Sequence, residues 1–176
     1  MGHLDNLAVY LSDSCNLACS YCYVAVNQGA GARLSFEQVR DAVDEFCDKV
    51  SPPDRKVTFL GGEPLLDWKL FAASAKYARE RGGPDIVLQT FTNGTLLTPE
   101  KVAFLKDVGV HCTISLDGKK EDNDLHRVYH KTKDRSVYDD AMARIAPLSK
   151  NNLGVSLVFT AATVDRLLSN IHAFHR

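Results

Sequence analysis

Five short apolar runs recur along the chain, and they constrain its fold more than any other feature. They are Leu7–Leu11, Lys56–Leu60, Ile86–Phe91, Val110–Leu116 and Gly154–Thr160. Each is too short for a helix, carries β-branched or other apolar side chains, and is bounded by Gly, Asp, Asn or Pro, so each reads as a buried strand. Helical patterns fill the gaps. Ser35 caps the first, with Gln38 completing a capping box, and Phe36, Val39, Val43, Phe46 and Val50 share one face. A second runs from about Asp67 to Arg81 and stops at Gly82-Gly83. The third opens on Thr98-Pro99 and ends at Gly109. Ser136 and Asp139 start the fourth, which Pro147 should kink or end. Thr163 starts the fifth, with Leu167, Leu168, Ile171 and Phe174 turned inward. Strand–helix alternation of this kind means parallel βα units with right-handed crossovers and helices outside the sheet, an α/β fold.

Composition narrows the function classes. The 176 residues fit one domain, on a prior of roughly 100–200 residues per domain. A formal charge of −1 argues against a basic nucleic-acid-binding surface. No apolar run approaches the ~20 residues that cross a bilayer, so no membrane partner is expected. Met1–Asp5 shows no signal-peptide pattern, and a cytoplasmic protein is expected. Five cysteines are an odd number, and three of them fall within eight residues. That is a poor disulfide framework and a good set of soft-metal ligands in a reducing compartment.

Functional groups in parallel α/β folds gather at the C-terminal ends of strands. After the first strand comes Cys15-Asn16-Leu17-Ala18-Cys19-Ser20-Tyr21-Cys22, a C-x3-C-x2-C loop. Three thiolates on one short loop can hold an iron–sulfur cluster, with one iron left for a non-protein ligand. A structural zinc completed by a distant His, or plain surface thiols, are the other readings. After the second strand comes Gly61-Gly62-Glu63-Pro64, in which glycines permit close backbone approach and Glu63 offers a carboxylate to an ammonium group. A plain turn is the alternative. Thr92-Asn93-Gly94-Thr95 and Ser115-Leu116-Asp117-Gly118 follow the third and fourth strands. Each is weak alone, and the force lies in four consecutive tips carrying such groups.

In these motifs the chain resembles the radical S-adenosylmethionine (radical SAM) enzymes, from about Leu7 to Thr160. Phe91–Leu97 and Ile114–Gly118 are similar to the branch that contains anaerobic sulfatase maturases and related peptide-modifying enzymes, many with a cysteine-rich C-terminal region for auxiliary clusters. The resemblance implies a partial (β/α)6 TIM-like barrel with about five βα units present. It implies a [4Fe-4S] cluster on Cys15, Cys19 and Cys22, with S-adenosylmethionine as the second cofactor. Gly61, Gly62 and Glu63 would receive the methionyl amino group, and Asn93 lies on the neighbouring tip. Ser115 and Arg127 would hold the carboxylate, with Arg144 competing for the same role. Arg127 comes from Asn123-Asp124-Leu125-His126-Arg127, where the branch often reads His-Asp-x-x-Arg. Tyr21 and Val158 would lie near the adenine.

The activity so implied is reductive cleavage of S-adenosylmethionine to a 5′-deoxyadenosyl radical that abstracts hydrogen, from a peptide or protein substrate. A one-electron donor such as flavodoxin or ferredoxin would supply the electron. Two alternatives are a core that binds cluster and cofactor without turnover and a zinc-bound structural module. Asp117 is a candidate proton acceptor, with turn stabilisation as its other reading. Residues 1–176 read as one core domain, and the resemblance leads one to expect a sixth strand and a further region beyond Arg176. Cys47 and Cys112 read as core thiols. His111, His126 and His130 read as solvated, with proton carrier or metal ligand as the other reading, and Lys119–Arg135 as a solvated loop, with a substrate-facing lid as its alternative.

Overall fold

The computed structural model describes residues 5–24, 32–132, 134–145 and 153–174. Its strands are β1 (Asn6–Tyr10), β2 (Lys56–Leu60), β3 (Val87–Thr92), β4 (Val110–Ser115) and β5 (Leu153–Ser156). They form one parallel sheet in the order β1-β2-β3-β4-β5. Helices α1 (Phe36–Lys49), α2 (Trp68–Gly82), α3 (Pro99–Val108), α4 (Lys120–His126), α5 (Val137–Ile145) and α6 (Leu167–His172) lie in the connections. The sheet does not close; it is an arc of a barrel.

Side-chain parity divides the sheet into two faces. Val9, Val57, Phe59, Leu88, Val110, Cys112 and Ile114 point toward the helices and are buried. Tyr10, Gln89, Phe91, His111, Thr113 and Ser115 alternate with them and stay partly or fully accessible. Against the helix-facing side pack Val39, Val43 and Phe46 of α1, Phe71 and Ala75 of α2, and Val102 and Leu105 of α3. Trp68 anchors its helix, stacked on Phe71 at 5.6 Å and edge-on to Phe104 at 5.2 Å. Cys47 and Cys112 are core residues, as expected.

The helix ends follow their sequence signals. Ser35 and Gln38 form the reciprocal capping box of α1. Asp67 caps α2, and Thr98 caps α3 with Pro99 at its first turn. Gly109 ends α3 in the left-handed conformation at φ 73°. Pro147 lies outside the described residues.

Three expectations change. The fifth strand ends at Ser156, short of Thr160, because the Val158 amide turns to the Asp117 carboxylate and the Thr160 carbonyl accepts from Thr163 and Val164. Leu168 is 70% exposed, and α6 instead buries Asn170. The segment Lys119–Arg135 is not a solvated loop throughout, since it contains α4 and buries Asp122, Asn123 and Arg127. Apolar periodicity could not reveal α4, for its one large apolar residue, Leu125, faces solvent. Polar groups dock it instead. Asp122 accepts a forked pair from Arg166 and a further bond from Asn170, which also takes the Lys119 amide.

Candidate active site

The loop leaving β1 carries the three cysteines, and backbone bonds hold it from two sides. On the β2 side, Gly62 N donates to Ser12 O at 2.8 Å and Glu63 N to Ser14 O at 2.9 Å. A Cβ on Gly62 would stand 2.5 Å from Ser14 O and 2.6 Å from Asp13 O. The close approach that the two glycines allow is therefore to the cysteine loop itself. On the other side, Ala18 N donates to Val128 O and Ser20 N to His126 O, with an antiparallel bridge between Leu17 and Tyr129. The segment after α4 thus braces the cysteine loop, a contact that local patterning does not encode.

Glu63 is buried, with three donors on its carboxylate. Leu65 N and Thr92 Oγ1 reach Oε1 at 3.0 and 2.7 Å, and Asn93 N reaches Oε2 at 2.8 Å. Burial pushes its carboxyl above the ordinary range against the opposing pull of these bonds. The Asn93 side chain donates to Asn16 and accepts from Thr95.

Asp117 is equally buried and fully engaged. Arg127 grips it with Nε on Oδ2 and Nη2 on Oδ1, both at 2.9 Å. The Tyr21 hydroxyl also donates to Oδ2, and Val158 N donates to Oδ1 at 3.0 Å. Four donors on two oxygens fill a carboxylate's acceptor sites, so the structure leaves Asp117 no free site for a substrate proton. Arg127 lies over the Tyr21 ring at 5.5 Å, and its pairing with Asp117 outweighs burial to keep it charged. His126 is half-buried, and its two ring nitrogens meet Ser20 Oγ at 2.7 Å and Thr160 Oγ1 at 2.9 Å.

One cavity of about 450 Å³ opens at these strand tips. Its wall includes Cys15, Cys19, Cys22, Tyr21, Gly61, Gly62, Glu63, Asn93, Ser115, Arg127 and Val158. All come from the sequence reading. Arg144 does not join them, because its guanidinium donates to Leu97 O. Leu60, Phe91 and Ser156 also line the cavity and were not expected as site residues, although their inward parity at strand ends is a readable signal. A second cavity of about 360 Å³ adjoins, between Tyr10, Asp13, Arg33 and Gln38, and contains none of the cysteines.

The radical SAM superfamily model matches residues 9–167. The chain belongs to the radical SAM superfamily. Among curated radical SAM relatives, it is 33% identical over 148 residues to an Fe-coproporphyrin III synthase of Methanosarcina barkeri, covering 83% of this chain and 34% of that protein. It is 27% identical over 173 residues to a serine-type anaerobic sulfatase-maturating enzyme of Klebsiella aerogenes, covering 90% and 42%. The chain thus spans about a third to a half of these relatives. Among solved structures, native anSMEcpe with bound AdoMet superposes with a TM-score of 0.81 at 22% identity, over 97% of this chain and 48% of that one. The same protein with AdoMet and Cp18Cys peptide superposes equally well, at 22% identity over 97% and 47%. These likenesses establish the fold as that of the radical SAM core.

The cofactors of the superfamily are a [4Fe-4S] cluster and S-adenosylmethionine, and the residues on the cavity wall fit them. Among the described residues, no three His, Cys, Asp or Glu side chains stand close enough to share one ion. A cubane instead takes one thiolate on each of three irons, so its ligands stand apart. All three cysteines are free thiols. Burial pushes Cys15 up to about 12 and raises Cys19 as well, so metal uptake at neutral pH must displace their protons. Leu17 N already points at Cys15 Sγ, 3.4 Å away, a donor that favours thiolate.

Proposed function

We propose that residues 1–176 act as a radical SAM catalytic core that modifies a peptide or protein substrate. The observation that carries this reading is the convergence of Cys15, Cys19, Cys22, Glu63 and Arg127 on one cavity wall. With cluster and S-adenosylmethionine bound, the pair supplies one-electron cleavage of the sulfonium C–S bond and hydrogen abstraction by the 5′-deoxyadenosyl radical.

The chain's own part is to bind and orient. Cys15, Cys19 and Cys22 would hold the cluster. Glu63 Oε1 is filled by two donors, whereas Oε2 carries only the Asn93 amide and keeps an acceptor site for the methionyl ammonium. Arg127 spends Nε and Nη2 on Asp117, which leaves Nη1 for the methionyl carboxylate, beside the Ser115 hydroxyl. This geometry favours Arg127 over Arg144. Tyr21 and Val158 flank the adenine. Fixing both ends of the methionyl group orients the scissile bond. A one-electron carrier such as flavodoxin or ferredoxin supplies the electron. A reducing cytoplasm suits thiols that must remain unoxidised; no helix of the described residues is long and apolar enough to cross a membrane.

The similarity to sulfatase-maturating enzymes, along nearly the whole chain, supports a peptide substrate. A tetrapyrrole is the second reading, favoured by the higher identity to the Methanosarcina barkeri protein. Anaerobic reconstitution tests the core proposal: about four irons per chain and 5′-deoxyadenosine on reduction are expected. Stoichiometric zinc without iron would overturn it. Stimulation of 5′-deoxyadenosine formation by a cysteine-containing sulfatase peptide, but not by a coproporphyrin, separates the two substrate classes.

A further inference from the structure

Two adjacent residues between the last two cysteines, Ser20 and Tyr21, each reach the tip of β5 through one intermediary. The Tyr21 hydroxyl donates to Asp117, and Asp117 accepts the Val158 amide. Ser20 Oγ meets His126, whose other ring nitrogen meets Thr160 Oγ1. Either tautomer of His126 satisfies both hydroxyls, since each can donate or accept. The two paths run side by side, with the Tyr21 and His126 rings 5.5 Å apart. Arg127 lies over Tyr21 and locks Asp117 in a buried, bidentate ion pair.

We infer that Asp117 and His126 are positioning residues, a double clamp that makes the cysteine loop and the β5 tip move as one body. Neither needs to touch a reacting atom. A carboxylate with all four acceptor sites filled sets three groups at once: the loop hydroxyl, the guanidinium and the Val158 amide. The clamp joins strand tips at opposite ends of the sheet, β1 and β5, which share no ladder. Its consequence for cofactor affinity rests on the function proposed above, in which the cluster loop carries the three cysteines while its Tyr21 and Val158 would flank the adenine together.

Removing Asp117 would leave Arg127 buried without its partner, so the cleaner variant cuts the clamp at its loop end. Ser20→Ala combined with Tyr21→Phe removes two hydroxyl groups and keeps the ring. Hydrogen–deuterium exchange is read first, on the metal-free protein. Faster exchange both in the cysteine loop and across residues 157–164 is expected, although nothing at β5 was changed. Acceleration confined to the loop would overturn the clamp. After reconstitution, the double variant should keep its iron and bind S-adenosylmethionine about tenfold more weakly, with a smaller change in the electron paramagnetic resonance spectrum on adding it. Affinity within twofold of wild type, with iron retained, would overturn the positioning role. Should the wild-type chain assemble no iron, the cofactor reading would fall, while exchange in the metal-free protein would still decide the clamp.

Discussion

Asn16 and Asn93 are joined side chain to side chain across 77 positions of sequence, the Asn93 amide donating to Asn16 Oδ1 at 2.9 Å. Asn16 donates in turn to Thr95 Oγ1, also at 2.9 Å, and the Asn93 backbone amide holds Glu63. The cysteine loop and the buried carboxylate are thus linked by two hydrogen bonds through one residue, Asn93. Asn16→Ala should lower stability by about 1–2 kcal/mol, because Asn93 keeps a part-buried amide without its partner. Urea unfolding of the metal-free protein measures this. Iron content should stay near wild type, and S-adenosylmethionine should bind more weakly.

Gly62→Ala should be worse for the fold than its single methyl suggests. The new Cβ would meet two carbonyl oxygens of the cysteine loop within 2.6 Å, and backbone cannot swing aside as a flexible side chain can. Relief requires separating the loops and losing the Gly62–Ser12 and Glu63–Ser14 bonds. A loss of about 2–3 kcal/mol is expected, together with poorer iron incorporation. Full stability and full iron content in this variant would show that the two loops need not touch.

The raised pKa of Glu63 sets two opposing pH dependences. A carboxyl whose folded pKa lies above its unfolded value binds protons more readily in the folded state. Its contribution to stability is complete below the unfolded pKa and is lost as pH rises through the folded one. Binding of the methionyl ammonium needs the carboxylate, so affinity for S-adenosylmethionine should tighten over that same window. Melting temperature and affinity, followed from about pH 5 to 8, should show the two trends, and Glu63→Gln should flatten both. That variant should keep its iron and bind S-adenosylmethionine at least about tenfold more weakly.

The five cysteines should separate cleanly by substitution. Alanine at Cys15, Cys19 or Cys22 should take reconstituted iron from about four per chain to below about one. Alanine at Cys47 or Cys112 should leave the iron count alone and cost about 1 kcal/mol of stability through lost core packing. Iron analysis beside thermal melting distinguishes the two groups. Loss of iron on changing Cys112 would contradict the division.

Much of the architecture was legible because it is local. Val39, Val43 and Phe46 repeat at helical spacing, Ser35 and Gln38 lie within one turn, and Leu88, Thr90 and Thr92 alternate along a strand. Such patterns need no knowledge of distant chain, and they placed five strands and the five helices α1, α2, α3, α5 and α6. The cavity wall was legible for a related reason: consecutive βα units bring consecutive strand tips together, so Cys15, Glu63, Asn93 and Ser115 had to become neighbours. Helix α4 was not, since polar docking through Asp122, Arg166 and Asn170 leaves no hydrophobic period to read.

By itself, then, the sequence determined the parallel α/β arc, the three-thiol loop and the carboxylate beside it, all products of short-range spacing and chain order. The tertiary structure alone decided which polar groups pair. It gave Arg127 to Asp117 and Arg144 to the Leu97 carbonyl, and it tied Asn16 to Asn93 and Tyr21 to Asp117. A hydrogen bond depends on placing two atoms within about 3 Å at the right angle. Groups separated by tens of residues meet that condition only after the sheet has assembled.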